Sequence, residues 1–389
     1  MNVALVIEWL DAWRGGAETS TQQFIHALIA RGVHLDVYTR SRLSPTPAMK
    51  VHTIATPVPA RVAKTAVFVR RVDGRIRHQS YDIVHAITPC MTADVYQPRG
   101  GTVVETIERN IALRRPRVAR HAKRLTGCLN IRQQLMQRLE RRLLTRSDPP
   151  MVAAVSNYVA RQLHDHYSYP PSRVRVVFNG VSADDTPPEQ RIRNRAEIRS
   201  MYGIAEGELL VILMAHNFRL KGVARWIDTV RRLSQHHELD VRSLVVGKEN
   251  PARWQRLVAR AQVGSHIQFV GPTQRAAAFR HAADILVHPT YYDPCSRVVL
   301  EALSCGLPCI TTSYDGASEV IESGKNGLVV STPDDIDELA RAVVTLADPQ
   351  TRERISRACE PLQKRLSMTR HVDEMLALYH DMGVAATAV

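Results

Sequence analysis

No apolar run in this sequence of 389 residues approaches the roughly 20 needed to cross a bilayer. The opening "MNVALVIEWLDAW" meets acids and aromatics before any signal-peptide cleavage pattern. The chain is therefore expected to stay in the cytoplasm. Cysteine is sparse as well: the six at 90, 128, 295, 305, 309 and 359 include no C-x-x-C pair and form no Cys/His cluster of zinc spacing. Neither a disulfide framework nor a structural metal is indicated, and these residues read as small buried hydrophobes. The dinucleotide fingerprint G-x-G-x-x-G is also missing.

Acid is scarce in one region alone. Residues 1–180 hold 27 Lys and Arg against 12 Asp and Glu, whereas 181–389 hold 25 against 26. The net charge of +14 thus belongs to the N-terminal half. Its densest part, 109–146, sets 12 bases against the single acid Glu140. A field of that sign favours a polyanionic partner: nucleic acid, an anionic membrane surface or a phosphorylated acceptor. A solvated helix face would carry the same residues. Residues 109–146 contain no Phe, Tyr or Trp, so the stacking platforms of a single-strand nucleic-acid binder are lacking.

With 44% hydrophobic residues, the chain is too long for one ordinary core and suits two domains. The first begins as strand, Gly-bearing loop, helix and strand ("VALVIEW", 3–9; "AETSTQQFIHALIARG", 17–32; "VHLDVYT", 33–39), with further strands at 81–88 and 151–156. Residues 179–194, rich in Pro, Asp and Asn, read as a linker. A second series follows, with strands at 209–217, 241–248, 267–271, 284–290 and 308–313. Two doubly wound α/β domains are expected, 1–182 and 183–366. A final amphipathic helix at 369–382, within 367–389, has the spacing to pack back on the first domain.

Three stretches place backbone N–H groups or cations where an open parallel sheet binds anions. In "WRGGAET" (13–19), Gly15 and Gly16 let the backbone approach a phosphate, though a plain tight turn would use the same residues. In "HNFRLKGV" (216–223), Arg219 and Lys221 precede Gly222 and a helix start, suited to a diphosphate; solvated charges are the alternative. In "YYDPCSRVVLEALSCGLPCITT" (291–312), Pro294 suits a first helical turn, with Asp293 as a cap-like residue and Glu301 two turns inside. On a regular helix the two acids would stand about 80° and about 12 Å apart, too far to grip one small atom. They could touch a single elongated ligand only if Asp293 lies in a loop.

"YYDPCSRVVLEALSCGLPCITT…GASEVIESGKNGLVV" resembles the C-terminal signature of family 4 retaining glycosyltransferases. The Gly-Gly loop, "NGV" at 179–181 and the segment at 219–222 fall in the family's order. Within the family, "GGAETSTQQFIHALIARGVHLDVYT", "ADVYQPRGG" and "FRLKGV" are most like the glucosyltransferases of the lipopolysaccharide core. The resemblance implies the GT-B fold, two Rossmann-like domains facing a cleft. It implies a retaining, metal-independent transfer of a hexose, glucose being expected, from a UDP-sugar to a lipid-linked or lipopolysaccharide-core acceptor. Glu301 would bind ribose hydroxyls and Asp293 the donor sugar, while Arg219 and Lys221 would stabilise the diphosphate leaving group. Gly15 and Gly16 would approach phosphate and sugar. The backbone of Ser296, Arg297, Val298 and Val299 would reach phosphate and ribose, and Gly271 would border the base. His85 and Asp94 are candidates for acceptor or donor contacts.

Two departures stand out. Asp293 replaces the family's usual Glu and is shorter by roughly 1.5 Å. Cys295-Ser296-Arg297 replaces its Phe-Gly, which leaves Ser296 Oγ or the Arg297 side chain to meet a phosphate. The implied partners are the nucleotide-sugar, the glycolipid acceptor and an anionic membrane surface bound through 109–146 at the inner face of the cytoplasmic membrane, with no nucleic acid. Another hexosyltransferase of the family, or a sugar-nucleotide binder of weak catalysis, is the alternative.

Overall fold

The computed structural model describes residues 1–11, 16–113 and 130–383. The chain divides into two compact units: Val181–Ser367 is one, and Met1–Gly180 with the segment from Met368 onward is the other.

The first unit is built on a parallel sheet of β1 (Asn2–Val6), β2 (His34–Thr39), β3 (Met49–Thr53), β4 (Ile83–Ala86), β5 (Val95–Tyr96), β6 (Met151–Ala154) and β7 (Val174–Val176), in the order β3-β2-β1-β4-β5-β6-β7. A central strand covered on both faces should be apolar throughout, and Val3 to Val6 are fully buried. Helix Gly16–Ile29 returns the chain from β1 to β2. It closes at Gly32, whose φ of +74° suits glycine at a helix end. The last helix, Met368–Asp381, buries Val372, Met375, Leu378 and Tyr379 against Phe24, Leu28 and the sheet.

The second unit carries β8 (Leu209–Met214), β9 (Val241–Val246), β10 (Ile267–Gly271), β11 (Ile285–His288), β12 (Cys309–Thr312) and β13 (Leu328–Val330), all parallel, in the order β10-β9-β8-β11-β12-β13. Its core gathers Trp226, Trp254 and aliphatic residues of the strands and flanking helices. The expected linker at 179–194 is helical in its second half. Pro188 opens helix Pro188–Met201 at a position where a missing N–H costs nothing. Arg195 and Arg199 then bind Asp284, which stands just before β11.

Candidate active site

In the second unit the strand order reverses between β8 and β11, the point at which a doubly wound sheet opens for a ligand. The loop after β8 turns at Gly222, where φ is +70° and an added Cβ would lie 1.9 Å from the Pro289 carbonyl oxygen. Only glycine lets this turn lie against the loop that leaves β11. The Tyr291 N–H donates to the Leu220 carbonyl at 2.9 Å, and the Thr290 hydroxyl to the same oxygen at 3.3 Å.

The two loops bring Lys221 to Asp293. Lys221 Nζ donates to Asp293 Oδ2 at 2.6 Å and to the Tyr292 carbonyl at 2.9 Å, and both side chains are about one-sixth exposed (16% and 17%). His288, the last residue of β11, reaches the same Oδ2 at 3.3 Å. Burial raises the Asp293 pKa, but Lys221 and His288 outweigh it and hold this carboxyl well below 3.8.

A second carboxylate lies beside it. The Asp293 N–H donates to the Tyr314 carbonyl and the Gly316 N–H to the Asp293 carbonyl, each at 2.9 Å. This backbone pairing sets Asp315 next to Asp293. Asp315 accepts from the N–H groups of Ser296 (3.0 Å) and Ala317 (2.9 Å) and from the Thr311 hydroxyl (2.9 Å). Burial and the Asp293 charge nevertheless push it up to about 6. One acid is thus firmly ionised, and its neighbour titrates near neutrality.

Asp293 does not cap the helix. That helix is Arg297–Ser304, with Ser296 at its N-cap position and Pro294 ahead of it, because Asp293 is committed to the pairing with the 314–316 segment. Both acids of the 291–312 stretch therefore act from different elements. Glu301 accepts from Arg297 at 2.9 Å, one turn earlier on its own helix, and from Arg280 at 2.9 Å. The Arg297 guanidinium, anticipated at a phosphate, is thus directed to Glu301. Ser296 is 2% exposed, and its N–H, anticipated at a phosphate, is given to Asp315. Val299 is buried and contributes only backbone. The Val298 and Val299 amides lie in the first turn, where no intrahelical acceptor exists.

Arg219 is half-buried in the turn just before Gly222. Gly271 ends β10 at φ +85°, with open space where a side chain would stand, and its carbonyl accepts from the Gly247 N–H at 2.9 Å. Reading the sequence missed His288 and Asp315. A histidine closing the apolar run "ILVH" five residues before Asp293 was an available signal for the first; nothing local marked the second.

In the first unit, Gly16 is the first residue of its helix, and Gly15 lies outside the described residues. Glu8, after β1, is buried and accepts from Arg40 (2.8 Å) and the Thr65 hydroxyl (3.0 Å). His85 and Asp94 are not disposed as anticipated. His85 is fully buried and hydrogen-bonded to Tyr379 at 2.6 Å, and burial with nearby Arg99 lowers its pKa to about 3. It is a neutral core residue under the last helix. Asp94 stands immediately before β5, at the edge where strands begin, and takes the Val84 N–H at 2.8 Å. The chain doubles back between β4 and β5, which removes Asp94 from the ligand-bearing edge.

Among the described residues, Glu105, Glu108 and His166 could bring ligand atoms close enough for a metal ion, but Glu105 already receives Arg109 at 2.5 Å and His166 at 2.8 Å. Of the basic stretch, 114–129 lie outside the described residues. Helix Ile131–Leu144 exposes Arg132, Arg138, Arg141 and Arg142. Its single acid, Glu140, is buried and receives the hydroxyls of Tyr96 (2.8 Å) and Tyr167 (2.5 Å) and the Val103 N–H (2.8 Å).

Two parallel-sheet Rossmann-like units, one with a lysine–carboxylate centre at its switch point, define a GT-B protein. The chain belongs to the glycosyltransferases: the family model described as "Glycosyl transferases group 1" matches residues 209–349, and that described as "Glycosyltransferase Family 4" matches 14–185. The lipopolysaccharide glucosyltransferase WaaG of Escherichia coli (strain K12) is 24% identical over 336 residues, 85% of this chain and 86% of that protein. A D-inositol 3-phosphate glycosyltransferase of Arthrobacter sp. (strain FB24) is 25% identical, covering 94% and 90%. The crystal structure of WaaG matches with a TM-score of 0.79 at 20% identity, covering 97% of this chain and 99% of that one. Anabaena Alr3699/HepE in complex with UDP and glucose matches with a TM-score of 0.70 at 17% identity, covering 98% and 100%.

Proposed function

We propose that this glycosyltransferase moves a hexose, glucose in the first instance, from a UDP-sugar to a lipid-linked or lipopolysaccharide-core acceptor, with retention of configuration and without a metal. The observation that carries the reading is the Lys221–Asp293 contact at the switch point of the second unit. An ammonium has three donors, and its two contacts use two; the third, with Arg219 in the same loop, suits the diphosphate that leaves the sugar. The amides of Val298 and Val299 favour the same anion. Asp293 anchors Lys221 through Oδ2, so its contribution to the sugar falls to Oδ1. Each Glu301 oxygen holds one guanidinium and retains one lone pair for a ribose hydroxyl.

Calorimetry with UDP, GDP and their sugars in the presence of a chelator tests the donor. UDP is expected to bind, Glu301→Ala to weaken it, and Lys221→Ala to abolish transfer; undiminished transfer by Lys221→Ala sinks the assignment.

The enzyme works, on this reading, at the inner face of the cytoplasmic membrane. Support comes from helix Ile131–Leu144, which exposes four arginines while burying its one acid. Vesicles rich in anionic lipid should bind the protein and release it as salt is raised. Equal binding to neutral vesicles would contradict this. An inositol phosphate acceptor is the second reading, favoured by the Arthrobacter relative; transfer assays with each acceptor separate the two.

A further inference from the structure

At the opposite edge of the second sheet, where β11 and β12 begin, lies a concavity of about 430 Å³. Four arginines line it, Arg191, Arg195, Arg280 and Arg352, against two acids, Asp284 and Glu353. The acids are already engaged: Asp284 by Arg195 and Arg199, and Glu353 by Arg357. Arg191 donates to the Thr186 and Asp184 carbonyls, and Arg352 to those of Leu346 and Ala347. These neutral acceptors leave both charges facing the pocket's field, with exposed Asp348 beside Arg352. Arg280, nine-tenths buried, keeps its Nε without a hydrogen-bond partner while another of its nitrogens holds Glu301.

We propose that this pocket is a second anion site, for a small phosphate-bearing molecule, and that Arg280 connects it to Glu301. An anion that draws Arg280 away frees a Glu301 lone pair and so tightens UDP; this coupling rests on the ribose role proposed above. The site itself does not.

Calorimetry with pyrophosphate and with a hexose phosphate, on the full chain, distinguishes a bare phosphate from a phosphate ester. Ile192, on the rim and 69% exposed, accepts a charge without loss of packing. Ile192→Glu should weaken binding and Glu353→Gln should tighten it, each by about three- to tenfold, the scale for one unit of charge at a half-solvated rim. Binding should persist in Lys221→Ala. Loss of binding in Lys221→Ala, or indifference to Ile192→Glu, overturns the site. For the coupling, the UDP affinity of wild type and of Ile192→Glu is compared with and without pyrophosphate. Competition at the donor site affects both proteins alike, so an identical response overturns the coupling. Absence of UDP binding with pyrophosphate binding still sensitive to Ile192→Glu would refute the donor reading and the coupling and leave the second site standing.

Discussion

Lys221→Met removes the cation that neutralises Asp293 while keeping most of the aliphatic stem. Breaking a buried pair by deleting one partner costs about 3–5 kcal/mol, since the other charge is left desolvated. Here both side chains retain about one-sixth exposure, and His288 still stands 3.3 Å from the carboxylate. The expected loss is therefore smaller, about 2–3 kcal/mol at pH 7. It should appear in urea denaturation as an earlier midpoint for the transition that exposes Trp226 and Trp254, both buried in the second unit. The pH dependence has a definite sign. The Asp293 pKa is depressed in the folded protein, so the stabilisation is present above 3.8 and is lost as pH falls through the folded value. The gap between wild type and variant should therefore narrow in acid. A double-mutant cycle with Asp293→Asn isolates the pair. Equal midpoints at pH 7, or a gap that widens as pH falls below 3.8, would refute the reasoning.

Asp315 should behave in the opposite sense. Its pKa is raised to about 6, so its ionisation costs stability as pH rises from 3.8 through 6. Asp315→Asn keeps an acceptor for the Ser296 and Ala317 amides, and the same denaturation series should show that decline abolished. Gly222→Ala forces a Cβ to within 1.9 Å of a backbone oxygen at φ +70°. The left-handed strain alone is about 1–2 kcal/mol, and the displaced loop carries Lys221 with it. Both a lower melting temperature and a loss of transfer are expected; an unchanged melting temperature would show that the loops are not packed as described.

Much of the architecture was legible because strands buried on both faces must be continuously apolar. "VALVIEW", "LLVILMAHN" and "DILVHPT" announce themselves by composition, and the glycines at 32 and 222 mark where helices stop or start. Helix Pro188–Met201 was less visible: its apolar positions do not form one stripe, Ile192 being exposed and Ile198 buried. The four-residue spacing from Arg297 to Glu301 could be read as a helical ion pair, but nothing local announced Arg280, which arrives from another helix.

The sequence by itself singled out Asp293, Glu301, Arg219 and Lys221 as the residues expected to carry the chemistry, since they stand in a family order that local spacing preserves. The tertiary structure decided what each carboxylate faces. Asp293 meets Lys221 from 72 positions away, through two loops at adjoining strand ends, and Asp315 meets Asp293 across a backbone pairing. A charge's protonation is set by its nearest neighbours and its desolvation, and both are properties of packing. For that reason two aspartates of the same composition become one firmly ionised group and one that titrates near 6.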